Sequence, residues 1–254
     1  MSAVGIVNSE WIKLRTLRST VWTLVITVAV SIGIALLGAV AISSVPEMIA
    51  QLPPDMTVGI ATSGLTFAQL AVAVLGALIV TGEYSTGMIR STFAAVPRRW
   101  PALAAKALVL FVVTFIVGAI STFGSYFIVA PILSGAGLES SISDDGVALR
   151  LLAGALYLGC VALLSLAIGT ILRNSAGGIA VALGLLLVLP IILAFIPAEW
   201  AKDVSKFLFS NAGGAFTSIA TDGSFTFGQN LAVVLGWLVV VGAGALVLLK
   251  KRDA

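Results

Sequence analysis

The chain has 254 residues, of which 59% are hydrophobic and 10% are charged, and this excludes an ordinary soluble domain because such domains are about 25% charged. Fourteen Lys and Arg against eleven Asp and Glu are too small an excess to indicate a nucleic-acid partner. The absence of histidine excludes Ser-His-Asp triads and the usual His-ligated haem and zinc sites, so we expect no catalytic site and no metal site.

Residues 4–20 predict an amphipathic helix that lies on the membrane surface. Its apolar side chains recur at helical spacing, at Val7, Trp11, Leu14 and Leu17. Together with Trp11, three basic side chains can contact the membrane interface and its anionic headgroups: Lys13, Arg15 and Arg18. The alternative interpretation is a solvated segment that only sets the orientation of the first span.

Six hydrophobic segments follow, each compatible with a membrane-spanning helix of about 20 residues. They cover residues 21–42, 64–81, 102–130, 147–172, 176–196 and 229–249. We therefore predict an all-α polytopic fold with a single transmembrane domain over residues 1–254. A cleaved signal peptide is the alternative for the first segment, but its apolar run is longer than the 7–15 residues of a signal-peptide core.

Basic residues divide unevenly between the two predicted sides of the membrane. They concentrate in residues 4–20, in the connection between the second and third spans and after residue 249. Most acidic residues lie in the alternate connections. By the positive-inside rule, this division predicts that both termini lie in the cytoplasm.

Residues 82–100 predict a short cytoplasmic helix between the second and third spans. Thr86 can serve as its N-cap, and Pro97 ends it. One face collects Met88, Ile89, Thr92, Phe93 and Val96. The residues that follow suit the membrane interface: Arg98, Arg99 and Trp100. A helix of about three turns gains little stability alone in water, so it needs a docking surface, either lipid or a partner protein.

Residues 197–228 form a connection far longer than a turn requires. An apolar stripe at helical spacing begins at Trp200, and Gly213 and Gly214 interrupt it. We predict a re-entrant or interfacial hairpin that caps the outer end of the bundle, with a plain interfacial loop as the alternative. The first outer connection, residues 43–63, predicts a loop with one short turn of helix around residues 47–51.

Few polar side chains lie within the predicted spans. Gln69, Ser121, Ser125 and Tyr157 either line a pathway or form hydrogen bonds between helices. Lys106 lies near a span end, where a long side chain ordinarily reaches the interface. The spans carry no Asp or Glu at mid-membrane depth, which argues against proton-driven pumps and ion-coupled carriers.

The sequence also contains no Gly-Lys pair and therefore no nucleotide-binding loop of the Gly-x-x-x-x-Gly-Lys-Ser/Thr type. Transport of a substrate against its gradient would need an ATPase on a separate subunit. We therefore expect that this chain is not itself an enzyme.

Two segments carry a resemblance to a known family: residues 9–18, SEWIKLRTLR, and residues 82–92, GEYSTGMIRST. With the order of one interfacial helix and six spans, they resemble the permease subunit of ATP-binding-cassette type-2 exporters, especially the bacterial bacitracin-resistance and antibiotic-efflux type. The resemblance implies that residues 82–100 are the coupling segment that contacts the ATPase. The residues at that interface would be Glu83, Tyr84, Gly87, Met88, Ile89, Arg90, Thr92 and Phe93.

The resemblance also implies partners and a location. Such a permease lies in the bacterial cytoplasmic membrane, pairs with a second copy or a related chain, and works with two cytoplasmic ATPase subunits. ATP and magnesium would bind to those subunits, and this chain would hold no cofactor. The expected function is export of a hydrophobic or amphipathic drug, peptide or lipid. The alternative is an assembly or sensory membrane subunit that transports nothing and recruits a cytoplasmic partner.

Overall fold

The computed structural model describes residues 3–45, 56–89, 91, 99–217 and 225–251. Every regular element in this part of the chain is helical. The α-helices there are α1 (Ala3–Thr16), α2 (Arg18–Ser43), α3 (Met56–Thr62), α4 (Leu65–Ser85), α5 (Trp100–Gly135), α6 (Val147–Leu172), α7 (Ser175–Leu183), α8 (Leu189–Ala194), α9 (Glu199–Lys206), α10 (Phe209–Gly214) and α11 (Phe227–Lys251). A π-helical turn, Gly184–Val188, joins α7 to α8, and a 3₁₀ turn, Ala215–Thr217, follows α10.

Six stretches of the described chain are long and apolar enough to cross a membrane. They are α2, α3 with α4, α5, α6, α7 through α8, and α11. The predicted all-α, multi-pass membrane protein is therefore confirmed at this level. The fourth span, α6, has the predicted limits of 147 and 172, because a left-handed residue ends the helix on each side, at Gly146 and Arg173.

The second span begins earlier than predicted. Residues 56–62, which the sequence places in a loop, form α3 and pack against α2 and α5. The short helical turn predicted around residues 47–51 lies outside the residues that the structure describes. Threonines and glycines lower the hydropathy of this stretch, but Thr57, Val58 and Ala61 are fully buried. Gly64 then lets the chain approach α2, since a Cβ there would lie 2.2 Å from the carbonyl oxygen of Ser31.

Helix α6 lies at the centre of the bundle. Of its apolar window 78% is buried, compared with 11% for α11 and 17% for the α7–α8 span. Glycines let two neighbours approach closely: a Cβ at Gly76 of α4 would lie 2.6 Å from the carbonyl oxygen of Ala162, and one at Gly118 of α5 would lie 2.8 Å from Cα of Ala155. Close helix approach through small residues is a common basis of packing within membranes.

The N-terminal helix α1 packs mainly on α5. The side chains that it buries are Ile6, Glu10 and Leu14, which recur every four residues and therefore share one face. Of the predicted apolar stripe, Leu14 lies in this face, whereas Trp11 and Leu17 are exposed. The face that contacts the protein thus includes a carboxylate.

Thr86 is not an N-cap. It is the C-cap of α4, and its hydroxyl donates to the carbonyl oxygen of Gly82 at 2.8 Å. Gly87 follows with φ +72°, and a glycine in the left-handed region is a common helix stop. This stop signal outweighs the capping preference of threonine. Arg90 and residues 92–98, which hold the rest of the predicted coupling helix, lie outside the described residues.

Candidate functional site

Four charged side chains meet where α1, α4 and α5 converge, and we call them the ion network: Glu10, Lys13, Glu83 and Lys106. The ammonium of Lys106 lies 2.5 Å from Oε2 of Glu10 and 2.8 Å from Oε1 of Glu83. The ammonium of Lys13 lies 2.8 Å from Oε1 of Glu10 and 2.9 Å from Oε1 of Glu83. Two carboxylates and two ammonium groups thus balance their charges.

Three of the four charged side chains in the ion network are buried. Glu10 is 5% exposed, Glu83 4% and Lys106 6%, so these three charges have left water. The desolvation of each ion costs several kcal/mol, and only well-placed opposite charges offset it. Because Glu10, Glu83 and Lys106 lie on three different helices, the ion network holds α1 against the ends of α4 and α5.

The geometry changes the interpretation of three residues. Lys13 is predicted to contact headgroups, but its ammonium binds Glu10 and Glu83. Lys106 was expected to reach the membrane interface, but its ammonium instead binds two buried carboxylates. Glu83 directs its carboxylate into the same network. The contact of Glu83 with an ATPase stays a prediction, and its carboxylate is already engaged within the chain.

Lys13 is the partly exposed member of the network. Burial alone would lower its pKa, but hydrogen bonds and Coulombic attraction from Glu10 and Glu83 outweigh that effect and raise the pKa above its ordinary value. Lys13 therefore stays protonated throughout the neutral range, and it compensates the carboxylates together with Lys106.

Tyr84 and Ile89 of the coupling segment line a small pocket together with Glu83 and Lys106. The guanidinium carbon of Arg173 lies 5.0 Å from the centroid of the Tyr84 ring, which connects the end of α4 to the turn between α6 and α7. Ile89 is buried, whereas Gly87 and Met88 are exposed. The roles of Arg90, Thr92 and Phe93 concern residues outside the described ranges.

The predicted interface residues divide in two groups. Trp11, Arg15, Arg18 and Trp100 are exposed, as a contact with headgroups requires. Arg99 instead donates a hydrogen bond to the carbonyl oxygen of Leu249, at 3.3 Å, near the end of α11. Arg98 lies outside the described residues.

A second feature is a cavity of about 640 Å³ that lies between α3, α4, α6, the α7–α8 span and the segment from α10 to the 3₁₀ turn. Its volume falls within the about 300–1,000 Å³ typical of small-molecule sites. The described residues that line it are Gly59, Thr62, Ser63, Leu65, Thr66, Gln69, Tyr157, Leu186, Leu187, Pro190, Ile191, Ser210, Asn211, Gly213, Gly214, Ala215 and Thr217.

Two of the four predicted pathway residues meet at this cavity. The hydroxyl of Tyr157 donates to the side-chain oxygen of Gln69, and the amide nitrogen of Gln69 donates to the carbonyl oxygen of Thr66 at 3.0 Å. The pair forms a hydrogen bond between helices and also lines the cavity, and a role of these residues in a pathway stays a prediction. Ser121 and Ser125 are fully buried on α5 and are not among the residues that line it.

Helix α10 closes one side of the cavity against α6. The Tyr157 and Phe209 rings are 5.9 Å apart. A Cβ at Gly213 would lie 2.1 Å from the Tyr157 ring, so only glycine fits at this contact. The segment that contains α10 therefore packs within the bundle as well as connecting two spans.

No local pattern in the sequence predicts a role for Glu10. Its partner Lys106 lies 96 positions further along the chain, and no periodicity within one helix reveals such a pair. The signal that could have found it is an acidic residue placed between Ile6 and Leu14, on the same face of an amphipathic helix. Among the described residues, no group of three or more Cys, Asp or Glu side chains is placed to hold a metal ion.

Comparison with known proteins leaves the family open. No protein-family model matches the sequence, and no curated protein matches it significantly. The resemblance to type-2 exporter permeases therefore rests on residues 9–18 and 82–92 and on the order of the spans.

Proposed function

We propose that the chain is the membrane-spanning subunit of an ATP-driven exporter and that a separate subunit hydrolyses the ATP. The observation that carries this proposal is the buried ion network, which lies beside the predicted coupling segment. Glu83 is the second residue of that segment, and its carboxylate binds lysines from α1 and α5. A force applied to the connection between α4 and α5 would therefore move three helices together.

Helix α4 connects the ion network to the cavity. Gln69 and Glu83 lie on the same helix, about 21 Å apart at 1.5 Å per residue. At about 100° per residue the two side chains point to nearly the same side of the helix. A displacement of the end at Glu83 would thus change the wall of the cavity at Gln69.

The proposal includes an orientation and an assembly. The ion network and both termini would lie on the cytoplasmic side of a bacterial membrane, as the distribution of basic residues favours. Two copies of the chain, or one copy and a related chain, would work with two ATPase subunits that bind ATP and magnesium. Nucleotide-driven closure of those subunits would switch the bundle between inward- and outward-open states.

Purification of the tagged full-length chain from membranes of its own host tests this proposal. We expect an ATPase subunit to co-purify, and the complex in proteoliposomes to hydrolyse ATP. A kinase or a biosynthetic enzyme in place of the ATPase would support the alternative, an assembly or sensory subunit, and would contradict export.

The variant Glu83→Gln tests the coupling itself. It keeps the size of the side chain but removes the charge that binds both lysines, so we expect ATP hydrolysis to continue while transport falls by at least tenfold. Glu199→Gln is the matched control, because Glu199 pairs with Lys202 in an exposed position on α9. Equal transport in both variants would contradict a coupling role for the network.

A further inference from the structure

The described part of the cavity wall carries no formal charge. None of the described residues that line it is acidic or basic. An ion bound there would lack a compensating partner, and an uncompensated charge in a low-dielectric site is strongly unfavourable. The wall therefore selects against charged ligands.

The cavity lining has one apolar side, and its other sides are polar. One side is apolar and comes from the fifth span: Leu186, Leu187, Pro190 and Ile191. The other sides carry hydroxyl and amide groups from α3, α4, α6 and the segment around α10: Thr62, Ser63, Thr66, Gln69, Tyr157, Ser210, Asn211 and Thr217. A molecule with one apolar and one hydrogen-bonding part fits this division.

The apolar side has an irregular backbone. Residues 184–188 form a π-helical turn, with the amide of Leu189 bonded to the carbonyl oxygen of Gly184. Pro190 follows directly and has no amide hydrogen to continue the regular pattern. Such turns widen a helix locally and occur often at functional sites. Here the wide turn places Leu186 and Leu187 at the cavity.

From these observations we infer that the cavity binds an uncharged amphipathic molecule that carries hydrogen-bonding groups. One copy of the chain supplies the whole lining described above. The inference rests on the proposed function in one respect, since the bound molecule is taken to be the transported one. Binding itself needs neither ATP nor the partner subunit.

A set of photoreactive probes tests the selectivity. Full-length protein in phosphatidylcholine nanodiscs, without ATP, is irradiated with diazirine-labelled decyl glucoside, decylamine or decanoic acid, and the modified residues are located by mass spectrometry. We expect the glucoside to modify the cavity lining in a saturable manner, and each charged probe to do so at least tenfold less. Equal modification by all three, or glucoside modification no stronger there than at the exposed Val239 and Val240 of α11, would overturn the inference.

Two glycines with open space around them provide the matched variants. Gly236 on α11 is not among the residues that line the cavity, and a Cβ there would meet nothing within 4 Å, so Gly236→Trp should bind like the wild type. Gly214 lines the cavity, and a Cβ there would also meet nothing within 4 Å. Gly214→Trp should fill the space and reduce glucoside modification at least tenfold. Tyr157→Phe removes one hydroxyl without a change of shape and should weaken the glucoside more than labelled decane. Wild-type modification in both Gly214→Trp and Tyr157→Phe would overturn the inference.

The results separate the two proposals. If the glucoside binds selectively but the purified complex contains no ATPase, the exporter fails and the cavity site stands. If ATP-driven transport in proteoliposomes is the same in Gly214→Trp as in the wild type, the cavity inference fails and the exporter stands.

Discussion

Lys106 is the residue on which the ion network depends most, because it contributes a buried positive charge to two carboxylates. Removal of one member of a buried ion pair costs about 3–5 kcal/mol, since the remaining charge loses its partner. Exposed pairs contribute about 0–1 kcal/mol. The buried ion network is therefore expected to contribute more to the stability of the fold than the exposed ion pairs on α9.

We expect Lys106→Met to lower the free energy of unfolding by about 3–5 kcal/mol. The exposed Lys202→Met, which breaks the pair with Glu199, should change it much less, because solvent screens the exposed pair. Unfolding of the purified chain in detergent, followed by heat or denaturant, measures both. The double variant Lys106→Met with Glu83→Gln should lose less than the sum of its single variants, because one carboxylate and one ammonium then remain. Strict additivity would contradict the network.

Lys13 makes the network sensitive to alkaline pH. Its pKa is raised above the ordinary value of 10.5 in the folded chain, so its contribution is fully present below pH 10.5 and disappears as the pH rises through the raised pKa. We expect wild type to exceed Lys13→Met in unfolding temperature near pH 8, and the difference to vanish at strongly alkaline pH. A difference that does not vary with pH would contradict this linkage.

At the scale of helices, close packing of α4 on α6 requires a glycine. A Cβ at Gly76 would lie 2.6 Å from a backbone oxygen, which cannot move without its helix, so Gly76→Ala should destabilise the chain by about 1–3 kcal/mol. Gly236 on α11 has open space around it, and Gly236→Ala should be neutral or stabilising by up to about 1 kcal/mol. Thermal unfolding of the two variants compares them directly. A stable Gly76→Ala chain would mean that α4 and α6 pack differently.

The elements that the sequence predicts well are those set by hydropathy and by local stops. Helix α6 begins and ends where predicted because its apolar run is bounded by residues that adopt left-handed backbone. Helix α3 escapes prediction because its two threonines are buried by tertiary contacts with α2 and α5. Local composition cannot report such contacts.

The candidate site likewise contains residues that the sequence predicts and residues that it does not. Gln69 and Tyr157 stand out in the sequence because they are polar within apolar spans, and they do meet at the cavity. The ion network escapes prediction because it joins positions 10, 83 and 106, which come together only once the helices pack. A pairing of that kind is a property of topology and not of any local pattern.

At the scale of the whole molecule, the ion network and the cavity occupy different levels of one bundle, and α4 passes through both. The central helix α6 is mostly buried, whereas α2, α11 and the α7–α8 span bury at most 22% of their apolar windows. We propose that a change at the ion network is transmitted along α4 to the cavity and that the peripheral helices contact lipid or a second copy.

This arrangement can serve an ATP-driven exporter only if the network faces the cytoplasm. Cys160 is the sole cysteine and is buried, so a Cys160→Ala background allows single cysteines at the exposed positions Ser85, at the end of α4, and Lys202, on α9. We expect a membrane-impermeant maleimide to label Lys202→Cys in intact cells and Ser85→Cys only after permeabilisation. Cys160→Ala itself should stay unlabelled in both. The reverse pattern would put the network outside, beyond the reach of any cytoplasmic ATPase, and the proposed coupling would fail while the fold and the ion network remained.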